Sequence, residues 1–140
     1  MSTSPSERTR SLLAGSLALV RRHTDEIISH MEAHLRGIDG PGERFGQSEV
    51  AAMMLTQLLI DQAAAMADQG SLRIPSGLGA EHRALDIVGR HYSRFGDALV
   101  PVLKDVLGPG VPADLTAAWG DAFWLAVQAI EPESELQPAA

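Results

Sequence analysis

Apolar residues recur along the chain at helical spacing, and no segment longer than four residues alternates apolar and polar as a half-buried strand does. Leu12, Leu13, Leu17 and Val20 form a stripe that predicts a helix from Ser6 to about Arg22. Thr24 is placed to cap a second helix, with Asp25 and Glu26 at the positive end of its dipole. Ile27, Ile28, Met31 and Leu35 share its apolar face, and Gly37, Gly40, Pro41 and Gly42 end it in a loop. Ser48 is placed to cap a third helix over about 49–69, with Val50, Met53, Met54, Gln57, Leu58, Ile60 and Met66 inward and Gly70 as its stop. Pro75 and Gly79 leave room for only a short helix around 76–86, whose inward face reads Leu78, His82, Leu85. Tyr92, Phe95, Leu99, Val102, Leu103 and Val106 predict a long helix over about 90–107. Pro101 lies inside that run and predicts a kink, because an interior proline costs about 3 kcal/mol in a straight helix. After Gly108, Pro109, Gly110 and Pro112, a last helix over about 113–131 buries Leu115, Trp119, Ala122, Phe123, Ala126, Val127 and Ile130. Residues 1–5 and 132–140 read as frayed ends.

The pattern is that of an all-α domain, and 140 residues suit a single one. A chain of this length buries roughly 70% of its unfolded surface, enough for one core and one enclosed ligand. There is no cysteine, which excludes disulfides, iron–sulfur clusters, thiolate zinc sites and cysteine nucleophiles together. A formal charge of −7 argues against a nucleic-acid surface and against anionic membranes. Residues 1–10 lack the apolar core of a signal peptide, and no run approaches a membrane span. The expectation is a cytoplasmic single domain without nucleic-acid or membrane partners.

A short helix ahead of two long ones is unlike an up-down bundle and favours a globin-like packing, as does the histidine on that short helix's inner face. The segment HRALDIVGRHYSRFGDAL, residues 82–99, resembles the haem-binding stretch of bacterial globins, the flavohaemoglobins and their single-domain relatives in particular. His82 and Tyr92 keep that family's ten-residue spacing between proximal histidine and tyrosine. The runs Lys104-Asp105-Val106-Leu107-Gly108 and Ala118-Trp119-Gly120-Asp121-Ala122-Phe123 resemble its last two helices. The resemblance implies about six helices packed around a haem pocket. It implies haem b held through His82, with Phe45, Met54, Gln57, Leu78, Leu85, Tyr92 and Phe95 about the cofactor and the stripe Met53, Met54, Leu55, Leu58, Leu59 over the iron. It further implies binding of a diatomic gas (oxygen, nitric oxide or carbon monoxide). Conversion of nitric oxide with oxygen to nitrate would leave ferric iron and so require a separate reductase.

The chain also departs from the family. Glu32 stands where a distal tyrosine is expected, and Tyr92 is the sole tyrosine. Val50, Met54 and Gln57 all fall near the place of a distal glutamine, and Gln47 is a further candidate donor. Glu81 replaces a lysine beside the histidine, and Glu133 or Glu135 stands for a glutamate that supports it. No GxGxxG motif accompanies the globin-like segment.

A lone histidine on an apolar face is ordinarily a hydrogen-bonded core residue; the spacing to Tyr92 and the matching helices downstream reverse that reading for His82. A neutral imidazole can supply the axial ligand that haem iron needs. Its other nitrogen needs a fixed acceptor, for which the Leu78 carbonyl is a natural choice, with Tyr92 as further support. His23, His30 and His34 lie at spacings that could chelate zinc, but no helper residue completes such a site. His30 could also point into the pocket, His34 and Glu32 are expected at the surface, and His91 is expected on the outer face of its helix, where it would join Arg83 or Arg90 against a haem propionate. The rival expectation is a haem-free globin-fold sensor or interaction module. Monomer and homodimer remain open.

Overall fold

The computed structural model describes residues 5–38, 40 and 46–135, and among them every regular element is a helix. The six are α1 (Glu7–Arg22), α2 (Thr24–Leu35), α3 (Gln47–Gln69), α4 (Leu78–Ala84), α5 (Gly89–Leu107) and α6 (Ala113–Glu135). α1 packs against α3 and α6, α2 against α3 and α5, α3 and α5 against α6, and α4 rests on α6. The result is the expected all-α, globin-like packing. Its core gathers the predicted stripes: Leu13 and Val20 from α1, Ile27, Met31 and Leu35 from α2, Phe95, Leu99 and Val102 from α5, and Trp119, Phe123 and Ile130 from α6.

The ends of the elements depart from expectation for local reasons. Ser6 caps α1, its hydroxyl accepting from the Thr9 N–H at 3.1 Å. Thr24 caps nothing; its hydroxyl donates to the Arg21 carbonyl at 2.8 Å, because only His23 separates α1 from α2. Ser48 is no cap either. Gly46, at φ 78°, turns the chain into α3 one residue earlier, and the Ser48 hydroxyl donates to Glu32 at 3.2 Å. Gly70 does stop α3, at φ 76°, its N–H bonding the Met66 carbonyl at 2.9 Å, and Arg10 adds bonds to the carbonyls of Met66 at 3.0 Å and Ala67 at 3.3 Å.

α5 runs through Pro101 as one helix. Pro101 and Asp97, whose carbonyl loses its N–H partner, are both exposed, so water can replace the missing bond. α6 extends to Glu135, so residues 132–135 continue the helix rather than fray. α3 is the one described helix long and apolar enough to cross a membrane, and 61% of that stretch is buried within the molecule. Ala51, Ala52, Leu55, Leu59 and Ala63 are all buried on it, whereas Met53, expected inward, is half exposed.

Candidate functional site

α4 has only seven residues, begins on Gly77 at φ 81° and has no side-chain cap. Helices this short do not persist alone in water, so tertiary ties must hold it. Two buried glutamines of α3 supply them. The Gln62 amide accepts from the Arg73 N–H at 2.7 Å and donates to the Arg73 carbonyl at 3.0 Å, fixing the chain ahead of α4. Gln47 donates to the Leu85 and Asp86 carbonyls at 3.0 and 3.1 Å, fixing the chain behind it. Gln47 thus serves the fold and is not a donor into a pocket. The end of α4 closes as a Schellman motif: Asp86 takes φ 62°, its N–H bonds the Arg83 carbonyl, and the Ile87 N–H reaches the His82 carbonyl at 2.9 Å. The backbone of His82 is therefore set by the cap, and the helix is set by α3.

Between α3 and α4 lies a cleft of about 250 Å³. Met54, Gln57, Leu58, Asp61, Gln62 and Ala65 line it from α3, Arg73 and Pro75 from the connection, and Leu78 and His82 from α4. His82 is 1% exposed. Its Nδ1 lies 2.7 Å from the Tyr92 hydroxyl, and the two rings stack with centroids 6.0 Å apart. Tyr92, not the Leu78 carbonyl, is the partner of the imidazole; in α4 the His82 ring turns toward α5 rather than back along its own helix. Burial pushes the His82 pKa below the usual histidine value, while the Glu81 carboxylate acts the other way. The ring is accordingly neutral at pH 7. With Nδ1 committed to Tyr92, Nε2 is the nitrogen left for a further partner. An Nδ1–H donating to the Tyr92 oxygen leaves the Nε2 lone pair available.

The structure thus brings together His82, Tyr92, Met54, Gln57 and Leu78. Gln57 lines the cleft with its amide already donating to Asp61 at 2.9 Å. Leu85 is half-buried against the core and absent from the lining, as is Val50. Phe95 is fully buried but packs on Phe123, ring centroids 4.7 Å apart, in the α5–α6 interface. Phe45 lies outside the described residues, as do the side chains of Glu133 and Glu135.

Three further expectations are corrected. Glu32 is not solvated: its side chain is 17% exposed, pairs with Arg36 and accepts from Ser48, which ties α2 to α3. His30 is exposed and does not face the cleft. His91 is fully buried, and its Nδ1 accepts the Val88 N–H at 3.1 Å. Val88 at the cap position of α5 offers no side-chain acceptor, so the histidine three residues on performs that part of the capping. His34 is exposed, as expected. No cluster of three metal-ligating side chains occurs among the described residues. Sequence reasoning missed Gln62 and Arg73; the signal was a glutamine that interrupts the buried face of α3.

No family model matches the chain. A flavohemoprotein of Chromobacterium violaceum is 25% identical to it over 129 residues, which cover 86% of this chain and 31% of that protein. The chain spans about a third of that relative's length. Together with the six-helix packing, this similarity fits a globin-like relative.

Proposed function

We propose that this chain is a haem-binding globin domain with His82 as the iron ligand. The observation that carries the reading is the buried imidazole on the α3–α4 cleft, held through Nδ1 by Tyr92 at 2.7 Å. The donor set fits the group in kind. A nitrogen that is to hold iron needs a lone pair and a fixed ring, and the Tyr92 hydroxyl would provide both by accepting from Nδ1–H. Met54, Leu58, Ala65 and Leu78 offer apolar walls. When bound, haem would supply an iron centre able to take a diatomic gas. The chain's own part is to hold the Nε2 lone pair in place, to exclude water with the α3 face, and to anchor α4 through Gln47 and Gln62. Oxygen, nitric oxide and carbon monoxide are the gases proposed. Conversion of nitric oxide to nitrate is the further activity proposed, and it depends on a reductase that restores ferrous iron. We place the protein in the cytoplasm.

A second reading, a haem-free globin-fold module, is favoured by the size of the cleft. At about 250 Å³ it falls below the roughly 300–1,000 Å³ of most ligand pockets. A macrocycle enters only if the side chains that close the cleft give way. His82→Ala separates the readings. The substitution is expected to abolish stoichiometric haem retention after gel filtration while far-UV circular dichroism stays helical. Equal retention by variant and parent excludes His82 as the ligand, and absence of retention in both favours the haem-free module.

A further inference from the structure

The start of α1 and one face of α6 enclose a second groove, of about 360 Å³, which shares no lining residue with the α3–α4 cleft. Trp124 stands in it, 37% exposed, whereas the other phenylalanine, tyrosine and tryptophan side chains among the described residues are buried. The packing fixes this ring at the surface. It lies against Gly96 of α5, where a Cβ would collide with it, and stands at 71° to the Phe123 ring with centroids 5.6 Å apart. Glycine is unfavourable inside a helix, so α5 gives up local stability to seat an indole that stays open to solvent. Asp121 lies one turn before Trp124 on the same side of α6 and lines the same groove. It is exposed, and among the described residues its carboxylate makes no hydrogen bond or ion pair. No basic side chain lines the groove among the described residues: Arg8 pairs with Asp114, and Arg10 bonds carbonyls at the end of α3.

We propose that this groove binds a small quaternary ammonium compound, its charge beside the Asp121 carboxylate and its methyl groups against the Trp124 indole. Of the aromatic side chains, indole attracts a cation best, through the negative charge over its face. Asp121 adds a Coulomb attraction at the same place, and the overall charge of −7 favours the approach of cations. Pro5 and Leu125, both half-buried, supply apolar surface for methyl groups. The hydrogen bonding within the groove favours a quaternary over a primary ammonium, which must satisfy three donors. The Ser6 hydroxyl accepts from the Thr9 N–H at 3.1 Å and donates to the Thr9 hydroxyl at 3.0 Å, so both hydroxyls are engaged at the start of α1. A quaternary ammonium has no donor to satisfy. Binding here does not depend on what occupies the α3–α4 cleft.

The test is titration of choline into the isotope-labelled chain, followed by the indole N–H resonances in nitrogen–proton correlation spectra. Two tryptophans give two indole signals, and Trp124→Leu assigns them. Choline is expected to move the Trp124 signal saturably and to leave that of Trp119, which is buried and donates to Ser16 at 2.9 Å, in place. Asp121→Asn, a change at an exposed position, should bind choline about two- to five-fold more weakly at low salt, with the difference shrinking as salt is raised. Trp124→Leu, followed through the backbone amide of Leu125, should weaken it about two- to five-fold as well. Dimethylbutanol, in which carbon replaces the charged nitrogen of choline, should bind more weakly than choline and respond equally in parent and Asp121→Asn. Choline that leaves the Trp124 signal unmoved overturns the proposal. Dimethylbutanol that binds as tightly as choline overturns it, since the groove then takes any apolar molecule. Asp121→Asn that binds choline as the parent does overturns the role of the carboxylate and the proposal with it. Ethanolamine that binds as tightly as choline overturns the quaternary class.

Discussion

Tyr92 and His82 hold the least replaceable contact of the site. Both are buried, and the imidazole Nδ1 lies 2.7 Å from the hydroxyl. Tyr92→Phe should leave the helices intact but cost about 1–3 kcal/mol, because the imidazole Nδ1 is left without its partner. In the haem-loaded ferrous protein the same substitution should shift the iron–histidine stretch in resonance Raman. An unmoved band with unchanged stability would reduce Tyr92 to packing. The depressed pKa of His82 has a signed consequence. The folded ring resists protonation that the unfolded ring accepts, so the contribution is intact above the ordinary histidine pKa of about 6.5. It is lost as pH falls through that value toward the lower folded one. Denaturant midpoints should therefore fall more between pH 7 and pH 5 for the parent than for His82→Gln, and equal slopes would contradict the burial argument.

Helix packing decides whether a substitution that looks favourable locally is favourable in fact. Gly96 lies inside α5, where alanine would gain about 1 kcal/mol of helix propensity. A Cβ at this position would lie 2.2 Å from Cζ2 of Trp124 on α6, well inside van der Waals contact. Overpacking of that kind costs about 1–3 kcal/mol, so Gly96→Ala should lower the thermal midpoint. In a Trp124→Ala background the same change should raise it; a gain in the parent would show that the ring swings aside. The apolar stripes of α1, α2, α5 and α6 were legible because one periodicity fixes one buried face. The stripe of α3 was legible only in part, since that helix is buried against α1, α2 and α6 on one side and lines the cleft on the other. Thr24 and Ser48 have the right chemistry for caps, but backbone geometry at His23 and Gly46 sets where the helices begin. The short α4 was visible between Pro75 and the Tyr92 helix, whereas its anchors were not. Gln47 and Gln62 meet partners 38 and 11 residues away, and no local pattern records such a bond.

Across the molecule the packing turns His82 of α4 toward Tyr92 of α5, which is why a ten-residue spacing in the sequence becomes one contact, and α3 faces His82 across the cleft. Their pairing was legible; the size of the cleft, the inward turn of His91 and the ties of Glu32 were not, because each depends on how helices distant in sequence meet. On the proposed reading, the α3 face of the cleft bears on how a gas would be held. The α3 face over the cleft is Met54 and Leu58, and the Gln57 amide is already donating to Asp61. A bound gas that gains no hydrogen bond should leave quickly, so a fast off-rate in stopped flow is expected, and Asp61→Ala, which frees the Gln57 amide, should slow it. The central claim is that His82 holds haem in the α3–α4 cleft, and a titration of hemin into the purified chain followed by Soret absorbance tests it most directly. The account predicts a sharp break at one hemin per chain that His82→Ala removes. A linear rise without a break, or the same break in the His82→Ala variant, would contradict it.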